Sequence, residues 1–311
     1  MRYIPTDEIR RTLTMAEAIR AVRDAFVELA TGRALVPART SLELPGGRTT
    51  ALVMPAYLPR TERIGVKLIS LCEDNPARGL PLAQAVTVIM DAGTGTPLAV
   101  LDAGYLTAVR TGAASGVATD VLARADARVA AVFGAGVQGR TQLEAVAAVR
   151  PLRKALVFDL DARAAAAFAA EMGGRLGLEV VPASSPEALR EADIVCTATT
   201  SEAPVFADAD LKAGVHINAI GSYKPHVREV PGETVQRAAV FVDERRGALE
   251  EAGDLIIPLR EGLIREDHIR AEIGEVLAGL KPGRRSADEV TLFKSVGVAV
   301  LDLAVAGLVA G

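Results

Sequence analysis

Three cations and one glycine cluster are the residues of this chain whose types and spacing could do chemistry. Lys67 lies inside Ile64-Gly-Val-Lys-Leu-Ile-Ser-Leu71, Arg110 inside Thr107-Ala-Val-Arg-Thr-Gly-Ala-Ala-Ser115, and Arg39 just before a strand-like run. The chain has only six lysines, and burying one among apolar neighbours without an anion is expensive. A ligand carboxylate is one source of that anion, and the Arg110 guanidinium can grip a carboxylate through two parallel hydrogen bonds. An internal salt bridge or a snorkelling side chain is the other reading, and spacing alone leaves both open, with Arg39 leaning toward the second.

The glycine cluster is Gly134-Ala135-Gly136-Val137-Gln138-Gly139. G-x-G-x-x-G says little by itself, because glycine clusters are common; its context decides. Val129 to Phe133 reads as a strand running directly into Gly134, and Leu143, Val146 and Ala147 repeat at helical spacing after Val137. In a strand, turn and helix of this kind Gly134 permits the tight turn, Gly136 lets a pyrophosphate approach the backbone, and Gly139 lets the helix pack on the strand. Asp159 closes the next strand twenty residues after Gly139, where a carboxylate can accept both ribose hydroxyls; Asp161 is the alternative. An acid there repels a 2′-phosphate, so NAD is expected before NADP. The plainer alternative is a tight turn with Asp159 capping the following helix.

These side chains need elements to hold them. Thr14-Met15-Ala16-Glu17 has capping-box spacing and opens a helix with Ile19, Val22, Phe26 and Leu29 on one face. Strands are expected at Thr40 to Leu44, Ala51 to Met54, Ile64 to Leu71, Ala85 to Asp91 and Pro97 to Leu101, mainly antiparallel, followed by a helix over about Tyr105 to Ala123. Short apolar runs then alternate with Ala-rich helical segments: Val129 to Phe133, Ala155 to Phe158, Leu178 to Val181, Ile194 to Ala198, Val215 to Ile220 and Ala239 to Val242. Alternation of that kind implies a parallel sheet wrapped by helices. Glu289 to Gly311 reads as helical and is expected to pack on the N-terminal half. The expectation is therefore an α/β chain: a Rossmann doubly wound parallel sheet over residues 116–291, and a mainly antiparallel α+β domain from residues 1–115 with 292–311.

Composition narrows the function classes. With 311 residues, half of them apolar, the chain can bury a sizeable core, and a formal charge of −4 leaves no basic field for nucleic acid or an anionic membrane. Cys72 and Cys196 have no Cys or His at ligand spacing, so no metal site and no disulfide framework is expected, and a cytoplasmic setting fits. No apolar leader is seen at the N-terminus, and the apolar stretch from Val296 is too short and too interrupted, by Asp302, to span a membrane. His216, His226 and His268 are scattered, and His216 reads as a satisfied core histidine. The group Lys281, Arg284 and Arg285 around Pro282-Gly283 reads as a solvated loop.

Several longer motifs are more specific than the glycine cluster: Met54-Pro55-Ala56-Tyr57, Gly65-Val66-Lys67, Asn75-Pro76 with Gly79-Leu80-Pro81, Leu106 to Ser115, Ile217-Asn-Ala-Ile-Gly221-Ser222, Ile273 to Gly279 and Ser295-Val296-Gly297. Together they resemble the ornithine cyclodeaminase and mu-crystallin family over nearly the whole chain. The resemblance implies a homodimer whose N-terminal half, joined by the terminal helix, forms the interface and the pocket for a small amino or imino acid, together with a Rossmann domain. It implies that Arg39, Lys67 and Arg110 bind an α-carboxylate, and that Val137, Gln138, Asp159, Thr200 and Ser295 contact the nucleotide. Two positions depart from the cyclodeaminases proper: Tyr223 stands where they carry an Asp serving the ornithine amine, and Leu82 where a threonine is usual. The expected activity is accordingly reduction of a 2-imino acid by NADH, with Lys67 or water as the acid and Tyr223 among the substrate-binding residues. Ornithine cyclodeamination, amino-acid dehydrogenation and a mu-crystallin-like binding role are the alternatives.

Overall fold

The computed structural model describes residues 1–311, which separate into two compact units: Met1–Arg110 with Val298–Gly311, and Thr111–Gly297. The fold is α/β, with one mixed, mainly antiparallel sheet and one wholly parallel sheet.

The first unit is built on six strands, β1 (Arg2–Ile4), β2 (Thr40–Glu43), β3 (Thr49–Leu58), β4 (Arg63–Cys72), β5 (Ala83–Asp91) and β6 (Pro97–Asp102), in the order β1-β6-β5-β4-β3-β2. All neighbours are antiparallel except β1 and β6. Burial alternates residue by residue: Met54, Ala56, Gly65, Lys67, Ile69, Thr87, Ile89 and Leu101 point to a covered face. That face is covered by the helix Ala299–Ala310, which packs on β3, β4 and β5 and in turn carries the helix Met15–Ala30. Apart from Asp302 the terminal helix is apolar, and its residues Ala299 to Ala306 are buried, as suits a helix that lies in a core. A Cβ at Gly65 would lie 2.7 Å from Leu303 Cδ1, so glycine is what lets helix and strand approach this closely. The Thr14 capping box forms as its spacing predicts.

The second unit carries eight parallel strands: β7 (Val129–Phe133), β8 (Lys154–Phe158), β9 (Glu179–Pro182), β10 (Ile194–Thr197), β11 (His216–Ala219), β12 (Ala239–Val242), β13 (Ile269–Glu272) and β14 (Thr291–Lys294). Their order, β13-β12-β14-β11-β10-β7-β8-β9, reverses direction at β7, which lies between β8 and β10. That is the doubly wound topology with its switch point, where such sheets bind ligands beyond the strands' carboxyl ends.

Two expectations are corrected here. Glu289 to Gly311 is not helical throughout: Thr291 to Lys294 is a buried strand hydrogen-bonded between β11 and β12, and the helix begins only at Ala299. Thr-Leu-Phe-Lys holds two apolar residues between two polar ones, too short a pattern for periodicity to separate strand from helix. Residues 292–297 therefore belong with the parallel sheet, and the units divide at Arg110/Thr111 and Gly297/Val298 instead of at 115/116 and 291/292. The helix expected from Tyr105 runs Ala103–Leu122 and crosses that division.

Candidate active site

In the first unit, β4 brings Lys67 onto the covered face and the helix Ala103–Leu122 presents Arg110. Neither is idle. Lys67 Nζ lies 2.9 Å from Asp302 Oδ2, and Arg110 Nε donates to Asp302 Oδ1 at 3.0 Å. All three residues are almost wholly buried, at 2%, 6% and 1% exposure. The internal salt bridge left open at the sequence level is thus real, and the residue that makes it, Asp302, was read from the sequence only as an interruption in an apolar stretch. The pairing does not exhaust the charge: two cations and one carboxylate leave a net +1. Burial drives the Lys67 ammonium down to about 8, Asp302 opposes that shift, and Arg110 and then Arg39 add to it. Burial pushes the Asp302 carboxyl up, yet Arg110 and Lys67 outweigh this and hold it below the usual carboxylate range. Arg39 is half-buried and precedes β2, an exposed edge strand, so its surroundings are not the buried segment expected.

Thr87 lies directly across from Lys67 on β5, is 1% exposed, and its Oγ1 has no hydrogen-bond partner. Sequence reasoning missed it, because a single threonine in a strand is unremarkable until its neighbours are known.

In the second unit the parallel registers align the strand ends: Phe133 with Phe158 and Thr197, Thr197 with Ala219, and Ala219 with Lys294. The residues that follow, Gly134, Asp159, Ala198 to Thr200, Gly221 to Tyr223 and Ser295, therefore emerge along one edge. Gly134 has φ +99°, and a Cβ there would lie 2.5 Å from Ala198 O; one on Gly139 would lie 2.0 Å from Gly134 O. Gly136 is different: a Cβ there would meet nothing within 4 Å, and it precedes the helix Val137–Val149 with no side-chain cap. Open space before a helix N-terminus with uncapped amides fits a pyrophosphate. Gln138 Oε1 is also buried and without a partner. Asp159 is exposed; its Oδ2 accepts from Ala135 N at 2.7 Å and its Oδ1 from Asp161 N at 2.9 Å, so it braces the glycine turn from the neighbouring strand. Asp161, the alternative, caps the helix Ala162–Leu176 by accepting from Arg163 N.

Three buried carboxylates organise the rest of this edge, and none was singled out from the sequence. Glu229 Oε1 accepts from Thr199 N and Oγ1, both at 2.7 Å, and Oε2 accepts from Thr197 Oγ1, Gly221 N and Ser222 N. Asp254 accepts from the Glu229 and Val230 amides and pairs with Lys294 Nζ at 2.8 Å, while Lys294 donates to Ser222 O. Burial, and then the Asp254 carboxylate, push the Glu229 carboxyl up. Asp243 Oδ2 accepts from Ser295 Oγ at 2.7 Å and from the Val296 and Gly297 amides, which orients Ser295. Thr200 and Val137 are exposed at this edge and Tyr223 is half-buried. His216 is the satisfied core residue expected, with Thr291 Oγ1 at 2.9 Å and Asn218 Oδ1 at 3.2 Å, and burial takes its imidazole down to about 3.

The sequence profile of the ornithine cyclodeaminase/mu-crystallin family matches residues 4–311. The chain belongs to this family. Delta(1)-pyrroline-2-carboxylate reductase of Bacillus cereus is 40% identical over 308 residues, covering 98% of this chain and 94% of that protein. Among solved structures, Delta(1)-pyrroline-2-carboxylate reductase of Thermococcus litoralis in complex with NADH and L-proline superposes with a TM-score of 0.97 at 44% identity, covering 100% of this chain and 96% of that one. An archaeal alanine dehydrogenase dimer with bound NAD gives a TM-score of 0.94 at 35% identity, over 100% and 95% of the two chains. No helix is long and apolar enough to cross a membrane.

The unpartnered Thr87 hydroxyl yields a prediction that runs against ordinary intuition about core polar residues. Replacing a buried, unsatisfied hydroxyl by a methyl of similar shape removes a desolvation cost, so Thr87→Val should raise the free energy of unfolding by about 1 kcal/mol. Urea denaturation of the ligand-free protein measures it; a loss of similar size would show that the hydroxyl has a partner.

Proposed function

We propose that this protein is an NADH-dependent reductase of cyclic 2-imino acids, with Delta(1)-pyrroline-2-carboxylate as its substrate and proline as its product. The observation that carries the proposal is the buried cluster of Lys67, Arg110 and Asp302 with its net +1, which one substrate carboxylate neutralises. Arg110 spends Nε on Asp302, which leaves the outer edge of its guanidinium for a carboxylate, and Lys67 has three N–H donors of which Asp302 takes one. Arg39 adds a third cation to the same field.

The dinucleotide is NAD. Gly134, Gly136, Val137, Gln138 and Gly139 form its pyrophosphate turn, Asp159 accepts from the adenosine ribose, and Thr200 and Ser295 contact it along the strand ends. Dihydronicotinamide supplies the hydride when bound. Reduction would take place at C2 of the iminium, whose carbon–nitrogen double bond would become single while the nitrogen kept the proton it carried. Holding the carboxylate fixed removes translational freedom that the reaction would otherwise lose at its transition state. Tyr223 stands where the cyclodeaminases carry the Asp that serves the ornithine amine and offers no carboxylate, which disfavours loss of that amine. The likeness to alanine dehydrogenase favours one second reading, oxidation of an amino acid through the same imine in the reverse direction.

We further infer a homodimer formed through the outer face of the first unit's sheet. A solvated sheet face is normally polar; here Val53, Leu68 and Val86 lie side by side across β3, β4 and β5 at 39%, 47% and 39% exposure, with Val66, Val88 and Val100 around them. The free thiols Cys72 and Cys196 fit a reducing cytoplasm.

The activity is tested by following NADH absorbance with Delta(1)-pyrroline-2-carboxylate, with pyruvate plus ammonia, and by measuring proline formed from ornithine. Saturable NADH loss with the cyclic imine is the expected result, and proline from ornithine without net NADH change would refute it. Arg110→Lys should raise KM for the imine by about tenfold or more while changing the Kd for NADH by less than about twofold, since only the carboxylate grip is lost. Leu68→Glu should convert the dimer to monomer in sedimentation experiments; an intact dimer would place the interface elsewhere.

A further inference from the structure

We propose that Asp302 is a positioning residue of the carboxylate site, holding Lys67 and Arg110 side by side on its two oxygens so that their remaining donors meet one substrate carboxylate. The inference rests on the function proposed above and concerns how its substrate site is held together.

Two cations buried within reach of one carboxylate repel each other, and in a low-dielectric interior that repulsion would drive one out or strip its proton. Asp302 prevents both. Its oxygens divide the work, Oδ2 toward Lys67 Nζ at 2.9 Å and Oδ1 toward Arg110 Nε at 3.0 Å, so each cation is anchored at a different oxygen and neither can rotate away. Its backbone is equally constrained, since the terminal helix is enclosed and lies against Gly65 on the strand that carries Lys67. A lone carboxylate in twelve residues of otherwise apolar helix has no other charged partner to explain it.

Lys67 must stay protonated to bind a carboxylate. The groups that act on it are Asp302 from the terminal helix, Arg110 from the helix Ala103–Leu122, and Arg39 from the segment before β2. Its cross-strand neighbours on β3 and β5, Met54 and Thr87, do not titrate, and the buried Glu28 of the helix Met15–Ala30 faces the Arg60 amide. Asp302 is thus the one group in the cluster that favours the ammonium. The sign follows: Lys67 is charged below about 8, and substrate affinity falls as pH rises through that value. Removing the Asp302 charge lowers the Lys67 pKa, so the fall begins at lower pH.

The test uses Asp302→Asn, which keeps the shape, with Asp302→Glu as the charge-retaining control. In wild type, kcat/KM for Delta(1)-pyrroline-2-carboxylate should decline on its alkaline side near pH 8; in Asp302→Asn that limb should move down by about one pH unit or more. At pH 7.5 the KM of Asp302→Asn should exceed wild type about tenfold with the Kd for NADH unchanged, and Asp302→Glu should move the limb back toward wild type. A second readout needs no substrate: lysines labelled with carbon-13 at Cε give six NMR signals, with Lys67 assigned from Lys67→Arg. Its titration should shift down in Asp302→Asn. If that shift occurs while no imino acid is reduced, the proposed activity fails and the positioning role stands. If Asp302→Asn binds NADH normally and neither the NMR titration nor the alkaline limb moves, the positioning role is overturned.

Discussion

A carboxylate buried between two cations, in the first turn of a helix made otherwise of hydrocarbon, is the constraint around which the first unit is arranged. Taking three charges out of water costs several kcal/mol per ion, and mutual attraction recovers this only if the geometry is tight. The geometry is supplied by parts that look unrelated in sequence. Gly65 lets the terminal helix lie directly on β4, strand alternation turns Lys67 toward that helix, and the helix Ala103–Leu122 brings Arg110 to the same carboxylate. The result is a rigid site with charge left over, which suits it to bind an anion more than to stabilise a fold.

The second unit solves a different problem by a similar device. Parallel strands end in register, so a row of loops leaves one edge of the sheet, and each loop must be held without the help of a neighbouring strand. Buried carboxylates do this. Glu229 gathers the ends of β10 and β11, Asp254 and Lys294 tie that gathering to β14, Asp243 orients Ser295, and Asp159 braces the glycine turn. Only Asp159 among these carboxylates is exposed.

Much of this was legible in the sequence, for physical reasons that can be named. The period-two and α/β rhythms reflect which faces are buried, so the strands of both sheets fell within a residue or two of their observed bounds, apart from β3, which is longer at both ends. β1 and the helix Thr6–Thr12 are too short to show a period, and β13, Ile-Arg-Ala-Glu, carries two charges in four residues and does not stand out as an apolar run. The strand Thr291–Lys294 reads as helix in the sequence because four residues, two apolar between two polar, are too few to set a period. At the site, the three cations stood out because charge in an apolar segment demands a partner. The partners did not: Asp302 is 235 positions from Lys67, and Glu229, Asp254 and Lys294 sit in segments of ordinary composition. A demand for a partner is local, whereas its satisfaction depends on packing.

The central claim is that the cation cluster presents a 2-imino carboxylate for reduction at C2. The most direct measurement gives the enzyme Delta(1)-pyrroline-2-carboxylate with NADH carrying deuterium at both C4 positions, and reads the product by mass spectrometry and NMR. The account predicts proline with one deuterium, located at the α-carbon. Proline without deuterium, or deuterium at any other carbon, would contradict it.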